Sequence, residues 1–381
     1  MSKWGMVRLE DVCEILDYMR VPVTASARKS GIYPYYGANG IQDYVSDYIF
    51  DDELVLLAED GGNFGSKTKP IAYRASGKCW VNNHAHVLKA KPSIDIDYLC
   101  YSIMFYDVSK IISGTTRAKL NQAAMRKMII PLPPLKTQKQ IAKTLDMAAD
   151  LLAMRKQQLA ELDNLIISVF FDMFGDPETN NKGWNTCTAG DLILVLTDYH
   201  SNGSYENLRD NVLLLNKPDY ALMIRTIDLE NKNYINDVKY ITKEAYEYLE
   251  KSKVFGGEII INKIGSAGKV YLMPYLNRPV SLAMNQFLLR FNDSTNVMYV
   301  YCYLKTEFSE KNISDRVRGA VTKTITKEAV RSIPFRLPPI ELQNKFAEIV
   351  TKIEEQKALV QKAIDETQYL FDSLMSEYFD D

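Results

Sequence analysis

The sequence predicts an α+β protein built as a tandem repeat, two mixed domains each followed by one long helix, and three observations predict it. A Leu-Pro-Pro string recurs, first as Leu132-Pro133-Pro134-Leu135 with Gln138 and Ala142 behind it, then as Leu337-Pro338-Pro339-Ile340 with Gln343 and Ala347. Each string opens a stretch without proline or glycine that lasts about ten helical turns. The segments before each string are instead broken by glycine turns into short apolar runs, among them 52–57, 87–89, 258–261 and 286–290.

The repeat can be followed residue by residue. An offset of 205, set by Leu132 and Leu337, carries Gly114 onto Gly319, Arg126 onto Arg331, Ser168 onto Ser373, Phe174 onto Phe379 and Asp176 onto Asp381. Upstream, Trp4 and Asp11 match Trp184 and Asp191 at an offset of 180, so the second copy has gained residues inside its larger domain. The expected order is a domain over 1–134, a helix over 135–176, a domain over 177–338 and a helix over 339–381, a pseudo-twofold plan.

In the first helix Leu145, Leu152, Leu159 and Ile166 share one heptad position, and Ala148, Leu162 and Val169 another. In the second, Val350, Ile364 and Phe371 alternate with Ile353, Val360 and Leu374. That period is a coiled coil's, with Arg155 and Lys357 as polar interruptions that fix register.

Composition narrows the function. At 381 residues, with 46% hydrophobic and 25% charged residues, the chain is globular. It has no apolar run of the ~20 residues a membrane helix needs. Five cysteines (Cys13, Cys79, Cys100, Cys187 and Cys302) stand singly, and the N-terminus lacks the basic-then-apolar order of a signal peptide, which together predict a cytoplasmic protein. The net charge of −2 hides a split. Residues 1–135 carry 16 Lys and Arg against 14 acids and 182–335 carry 20 against 17, whereas the helices are acidic. The domains therefore permit nucleic-acid binding.

Candidate nucleic-acid contacts lie in turns of both copies. Gly61-Gly62-Asn63-Phe64-Gly65-Ser66-Lys67 lacks the glycine before lysine that a nucleotide loop needs, so Asn63, Ser66 and Lys67 read as phosphate contacts or as a plain turn. Asn82-Asn83-His84-x-His86 offers amide and imidazole groups to base edges, Asn83, His84 and His86 above all. Zinc with Cys79 and Cys100 fits no common spacing, and buried strand-tying side chains are the competing reading. Tyr36 and Asn39 complete the set in the first copy. The second copy offers Asn285 and Gln286 at the comparable place, and Asn262, Lys263, Ser266 and Lys269 around its glycine turn. Thr116, Arg117 and Lys119 beside Gly114, and Arg316, Arg318 and Lys323 beside Gly319, form basic loops suited to phosphate. No catalytic motif is found: no Asn-Pro-Pro-Tyr, His-Glu-x-x-His, Gly-x-Ser-x-Gly or Walker lysine loop, so neither a catalytic residue, a metal nor a cofactor is expected.

The chain resembles the DNA specificity subunits of type I restriction-modification systems over essentially its whole length. The resemblance rests on YPYYGANGI (Tyr33 to Ile41), EDGGNFGS (Glu59 to Ser66), VNNHAHVLK (Val81 to Lys89), GTTRAKLNQ (Gly114 to Gln122), IPLPP (Ile130 to Pro134), FFDMFGDP (Phe170 to Pro177) and LPPIELQ (Leu337 to Gln343). The chain departs from the family's Glu-Gln pair with Lys136-Thr137-Gln138. The resemblance implies two target-recognition domains, each binding half of a split site in double-stranded DNA. It implies helices that pair antiparallel, set the spacing between the half-sites, and dock two methyltransferase subunits and the restriction-translocase subunits. Loss of the Gly-Ala-Asn-Gly string from the second copy implies that the halves differ in sequence. A specificity subunit of a related type II system is the alternative. An enzyme with an unrecognised motif and a coiled-coil scaffold that ignores DNA are the rivals from other classes.

Overall fold

A computed structural model describes residues 4–114 and 117–380. The chain divides into two compact units, Met1–Gln157 with Val360–Asp381, and Gln158–Leu359.

The first unit holds a six-stranded sheet in the order Cys13–Ile15, Ala85–Ala90, Phe50–Ala58, Ala72–Val81, Ser30–Gly37, Gly40–Val45. Its central strand reads Leu54-Val55-Leu56-Leu57-Ala58 without a polar break because both faces are covered, and all five residues are buried. Helix Ile96–Met104, capped by Asp95, packs on one face, with Tyr98, Leu99 and Ile103 inside.

The second unit splits the same job between two four-stranded sheets. One runs Ile193–Asp198, Gln286–Phe291, Ile259–Asn262, Val270–Leu272, and the other Lys239–Ile241, Ala221–Ile224, Val280–Leu282, Lys253–Val254. In each unit a two-stranded ribbon joins the domain's start to the segment before its long helix, Met6–Arg8 with Ile129–Pro131 and Asn185–Thr188 with Pro334–Leu337.

The long helices span Leu135–Phe174 and Ile340–Phe379. Both start at a proline whose carbonyl accepts the first helical N–H groups, and Gly175 (φ +73) ends the first. Seam positions Val350, Ile353, Val360, Ile364, Thr367 and Phe371 are all buried. In the first unit the Arg155 guanidinium donates to the carbonyl of Ala363 and to the Thr367 hydroxyl. In the second unit Lys357 pairs with Asp163 at 2.6 Å. The pairing is antiparallel in each unit, where the beginning of one helix lies beside the end of the other.

The repeat extends to single hydrogen bonds. Gln138, fully buried, donates to the carbonyls of Pro133 (2.8 Å) and Ser93 (3.2 Å) and accepts from the N–H of Asp95 (2.8 Å). Gln343, also fully buried, does the same with Pro338 (2.8 Å), Ser294 (3.1 Å) and Asn296 (2.8 Å). Tyr98 donates to the Pro131 carbonyl and packs on Phe379, as Tyr299 donates to the Arg336 carbonyl and packs on Phe174. The departure at Lys136-Thr137-Gln138 thus leaves the helix start intact.

Gln343→Ala orphans one buried N–H and two carbonyls and should cost about 2 kcal/mol or more. Gln343→Glu should cost more, because a carboxylate oxygen would face the two carbonyls that Nε2 now serves. Urea denaturation of the variants checks both the loss and the order.

Candidate nucleic-acid interface

In the first unit, strand pairing brings the turn after Phe50–Ala58 beside the start of Ala85–Ala90, with the Glu59 N–H donating to the His84 carbonyl at 2.8 Å. The basic loop folds back onto the same edge. Leu120 N–H donates to the Glu59 carbonyl at 2.7 Å, and Ser113 and Lys119 exchange backbone bonds across a turn at Gly114 (φ +92). A Cβ at Gly114 would collide with the Arg117 carbonyl, so the turn needs glycine.

Two carboxylates anchor the cations. Asp60 binds His84 Nδ1 at 2.6 Å and Arg117 at 2.8 Å. Glu59 binds Arg20 at 2.6 Å and Lys119 at 2.9 Å. Burial pushes the Glu59 carboxyl up, but the hydrogen bonds from Arg20 and Lys119 and the charge of His86 outweigh it and hold it below the usual range. Asn39 reaches in from the Gly37–Gly40 hairpin to the Gly61 carbonyl at 3.0 Å. Asn39, His84, Arg117 and Lys119 are thereby brought together, with exposed Asn83 next to them in sequence.

Other expected residues take supporting parts. Ser66 accepts the N–H groups of Thr68 and Lys69 and shapes the turn that carries exposed Lys67, and Asn63 donates to the Pro70 carbonyl. Tyr36 is half-buried against Tyr73. Thr116 lies outside the described residues.

The second unit repeats the frame with different side chains. Lys263 N–H donates to the Asn285 carbonyl (2.7 Å), Ile325 N–H to the Lys263 carbonyl (3.0 Å), and Gly265 N–H to the Lys323 carbonyl (3.0 Å). Exposed Asn285 and Lys323 are therefore tied to the glycine turn that bears Ser266 and Lys269. Glu230 collects Lys269 (2.9 Å) and Tyr271 (3.2 Å). Arg318 stays on the loop and donates to the Asp315 carbonyl, whereas the Arg316 guanidinium is spent on Asn312 and Ser332. Beyond Asn285 opens a cavity of about 430 Å³ lined by Tyr199, Tyr205, Leu208, Met223, Ile227 and Met284, with Arg209 and Arg225 on its wall.

Three expected contacts are corrected. His86, Asn262 and Gln286 are fully buried and offer DNA no surface. His86 donates through Nε2 to the Leu120 carbonyl (2.8 Å) and bonds Asp17 through Nδ1 (2.6 Å). Asn262 spans Ser266, Tyr271 and Thr226. Gln286, with its amide turned to satisfy both ends, donates to the Ile224 carbonyl and accepts the Thr226 N–H. Strand ends under a loop need polar side chains to satisfy the turn above them, and such residues look from the sequence like contacts.

A metal centre is not what the donors support. Cys79 and Cys100 belong to different apolar cores, and burial pushes their thiols up to about 11 and about 12. Asp17, Glu59 and His86 do converge. Their lone pairs are already taken by protein groups, Asp17 by His86, the Val87 N–H (2.9 Å) and Gln122 (2.9 Å), and Glu59 by Arg20 and Lys119. The residues that sequence reasoning missed are the acids Asp17, Glu59, Asp60, Asp198 and Glu230. Their one visible signal was Glu59-Asp60 heading the EDGGNFGS string.

Among the described residues no helix is long and apolar enough to cross a membrane. The chain matches the family model for the type I restriction modification DNA specificity domain twice, over residues 1–164 and 181–368. It is 27% identical over 362 residues to a putative type I restriction enzyme specificity subunit of Haemophilus influenzae, covering 91% of this chain and 86% of that protein. It is 21% identical over 384 residues to the MjaVIII type I restriction enzyme specificity subunit of Methanocaldococcus jannaschii, covering 92% and 86%. Its fold resembles the crystal structure of a type I restriction-modification S subunit from M. genitalium, with a TM-score of 0.62 at 15% identity, covering 100% of this chain and 96% of that one. The domain model accounts for both copies of the repeat, each with its ribbon, loop frame and glutamine-pinned helix, and the chain belongs to the type I restriction-modification DNA specificity family.

Proposed function

We propose that this chain reads DNA for a type I restriction-modification complex, each unit binding one half of a bipartite site, and that it performs no chemistry itself. The observation that carries the reading is the shared frame, in which both units pin a basic loop and a glycine turn to the same strand ends by the same backbone bonds. Lys67, Arg117 and Lys119 in one unit, and Lys269, Arg318 and Lys323 in the other, supply phosphate contacts that set register on the duplex. Asn39, Asn83 and His84, and Asn285 in the second unit, face base edges, where amides discriminate by paired hydrogen bonds. Apolar Met284 and Ile227 at the cavity beside Asn285 suit contact with thymine methyl groups.

Methyl transfer and DNA translocation belong to partner subunits. The helices carry apolar side chains that the seam does not use, and Met147, Leu151 and Met154 form an exposed stripe at helical spacing on the first. That stripe is the docking surface for a methyltransferase subunit. Helix length sets the spacing of the half-sites, at ~1.5 Å per residue against ~3.4 Å per base pair.

Four outcomes follow from this reading. Lys67→Ala with Lys323→Ala should lower the slope of log affinity against log salt by about 2, one for each phosphate no longer neutralised, while leaving the recognised sequence unchanged. Duplex titrations across a salt series check it.

Exchange of residues 182–335 for the equivalent segment of a relative should change one half of the methylated site and keep the other. Methylome sequencing reads this directly, and a change in both halves or in neither would defeat modular reading.

The purified chain should transfer no methyl group until its methyltransferase partner is added. Met147→Glu with Met154→Glu should weaken co-purification of that partner about tenfold or more, with the chain's own melting temperature unchanged.

A further inference from the structure

Beneath each basic loop lies a buried carboxylate in the same register. Asp198 is paired with Phe287 on the neighbouring strand, and continuing the register of Ile15 with Leu88 places Asp17 opposite His86. The backbone around them is the same in both units, but the side chains have been exchanged as a group.

In the first unit Asp17 Oδ2 receives His86 Nδ1 (2.6 Å), Gln122 Nε2 (2.9 Å) and Arg20 (3.4 Å). Arg20 also binds Glu59 at 2.6 Å, and His86 passes the link to the loop through the Leu120 carbonyl at 2.8 Å. In the second unit the positions of Arg20, Glu59, His86 and Gln122 hold Ser201, Lys263, Phe287 and Lys327. There Asp198 receives Lys263 Nζ (2.9 Å), Lys327 Nζ (3.2 Å) and the Ser201 hydroxyl (2.6 Å).

Each set is consistent within itself. Glu59 in the first unit needs Arg20, whereas Lys263, its counterpart, takes the carboxylate directly and leaves serine enough. His86 has acceptors at both ring nitrogens, Asp17 and the Leu120 carbonyl, and Phe287 removes that bridge where two lysines replace it. A mixed set leaves a buried charge unpaired or adds a cation for which no carboxylate remains, which costs more than either native set.

We propose that Asp17 and Asp198 are positioning residues that set each DNA-reading loop over its strand end, and that their two partner sets are exchangeable whole but not piecemeal. The inference rests on the reading of these loops as DNA contacts. Burial pushes the Asp198 carboxyl up, but the hydrogen bonds of Ser201, Lys263 and Lys327 hold it at about 2, so the carboxylate stays charged across the working range.

The test uses the full chain in complex with its methyltransferase, host methylomes to define the two half-sites, and duplexes carrying them. Glu59→Lys alone sets a lysine against Arg20, whereas Lys119, half exposed on the loop, is free to turn to solvent. It should weaken binding to the intact duplex about tenfold or more and speed amide exchange at Leu120. The quadruple variant Arg20→Ser, Glu59→Lys, His86→Phe, Gln122→Lys rebuilds the second unit's set in the first. It should recover affinity to within about threefold, slow the Leu120 amide again and leave the methylated sequence unchanged. Should Glu59→Lys fail to fold, the quadruple variant still decides, since a folded protein that reads its site requires the sets to be exchangeable. Exchange at Leu120 unaltered in the single variant, or a quadruple variant no better than the single one, would overturn the proposal. Faster exchange with undiminished affinity would overturn instead the loop's role as a DNA contact, on which the proposal stands.

Discussion

One buried glutamine at the first turn of each long helix is the constraint on which the architecture depends. A helix entering after Pro-Pro has a fixed backbone direction at one residue and none beyond it. Gln138 removes the remaining freedom by bonding two carbonyls and one N–H, two of these groups on the segment that leads into helix Ile96–Met104, and Gln343 does the same before Val297–Leu304. Because all three partners are backbone atoms, the clamp is indifferent to the surrounding sequence. Two domains that differ in sheet plan can therefore start their helices on the same three backbone bonds. The helix ends are held differently, by aromatic packing. Phe170 and Phe174 lie with Tyr299 and Phe346 in one core, and Phe379 lies against Tyr98 in the other. Polar entry and apolar exit divide the work, since hydrogen bonds fix direction and apolar burial supplies most of the stability.

An acid-rich floor under a loop proposed to meet DNA looks contradictory until the geometry is considered. Asp60, Glu59, Asp198 and Glu230 each hold a cation that leaves part of its surface exposed, as with Arg117 and Lys119. A long basic side chain loses rotamer entropy when it meets a phosphate, and a carboxylate beneath it takes up that loss before binding. The acids reduce the net positive field and increase its order. This is why the whole-chain charge of −2 carries so little information about what the loops do.

The fold was legible in the sequence where one residue type had one physical meaning. Leu-Pro-Pro could only begin a helix, and the burial of Val350, Ile353, Val360, Ile364 and Phe371 follows the heptads read from their spacing. Arg155, read as a seam interruption, caps a carbonyl of the facing helix in the first unit. The turns that carry the candidate site were legible, but not which of their side chains brace the fold. Asn262, Gln286 and His86 satisfy the turn's own polar groups, and no spacing distinguishes an amide that braces a loop from one that faces solvent. The acids were invisible for the opposite reason. Carboxylates repel phosphate when free, and only the cation beside each one, a tertiary fact, reverses that meaning.

The distribution of the extra residues in the second copy shows where the domain tolerates change. The offset between equivalent positions is 181 from Asp17 to Asp198 and 188 from Tyr36 to Ile224, whose carbonyls accept from Asn82 and Ala283. It reaches 204 from Glu59 to Lys263, falls back to 201 from His86 to Phe287, and settles at 205 from Leu120 to Ile325 through Gln138 to Gln343. The step from 180 at Asp11 to 181 at Asp17 is a bulge between Ile193 and Val195, and the larger changes fall between these strand ends, where lengthening costs the slowly growing entropy of loop closure. From the basic loop to the helix no residue is gained or lost, because one backbone carbonyl at the strand end and one glutamine at the helix start must both be met. Divergence in what is read and constancy in how the reader is mounted are thus two consequences of one distribution of hydrogen bonds, with variable chain between fixed anchors. On the proposed reading, a new loop can be inserted without disturbing the helix, provided the carboxylate beneath it finds a complete set of partners.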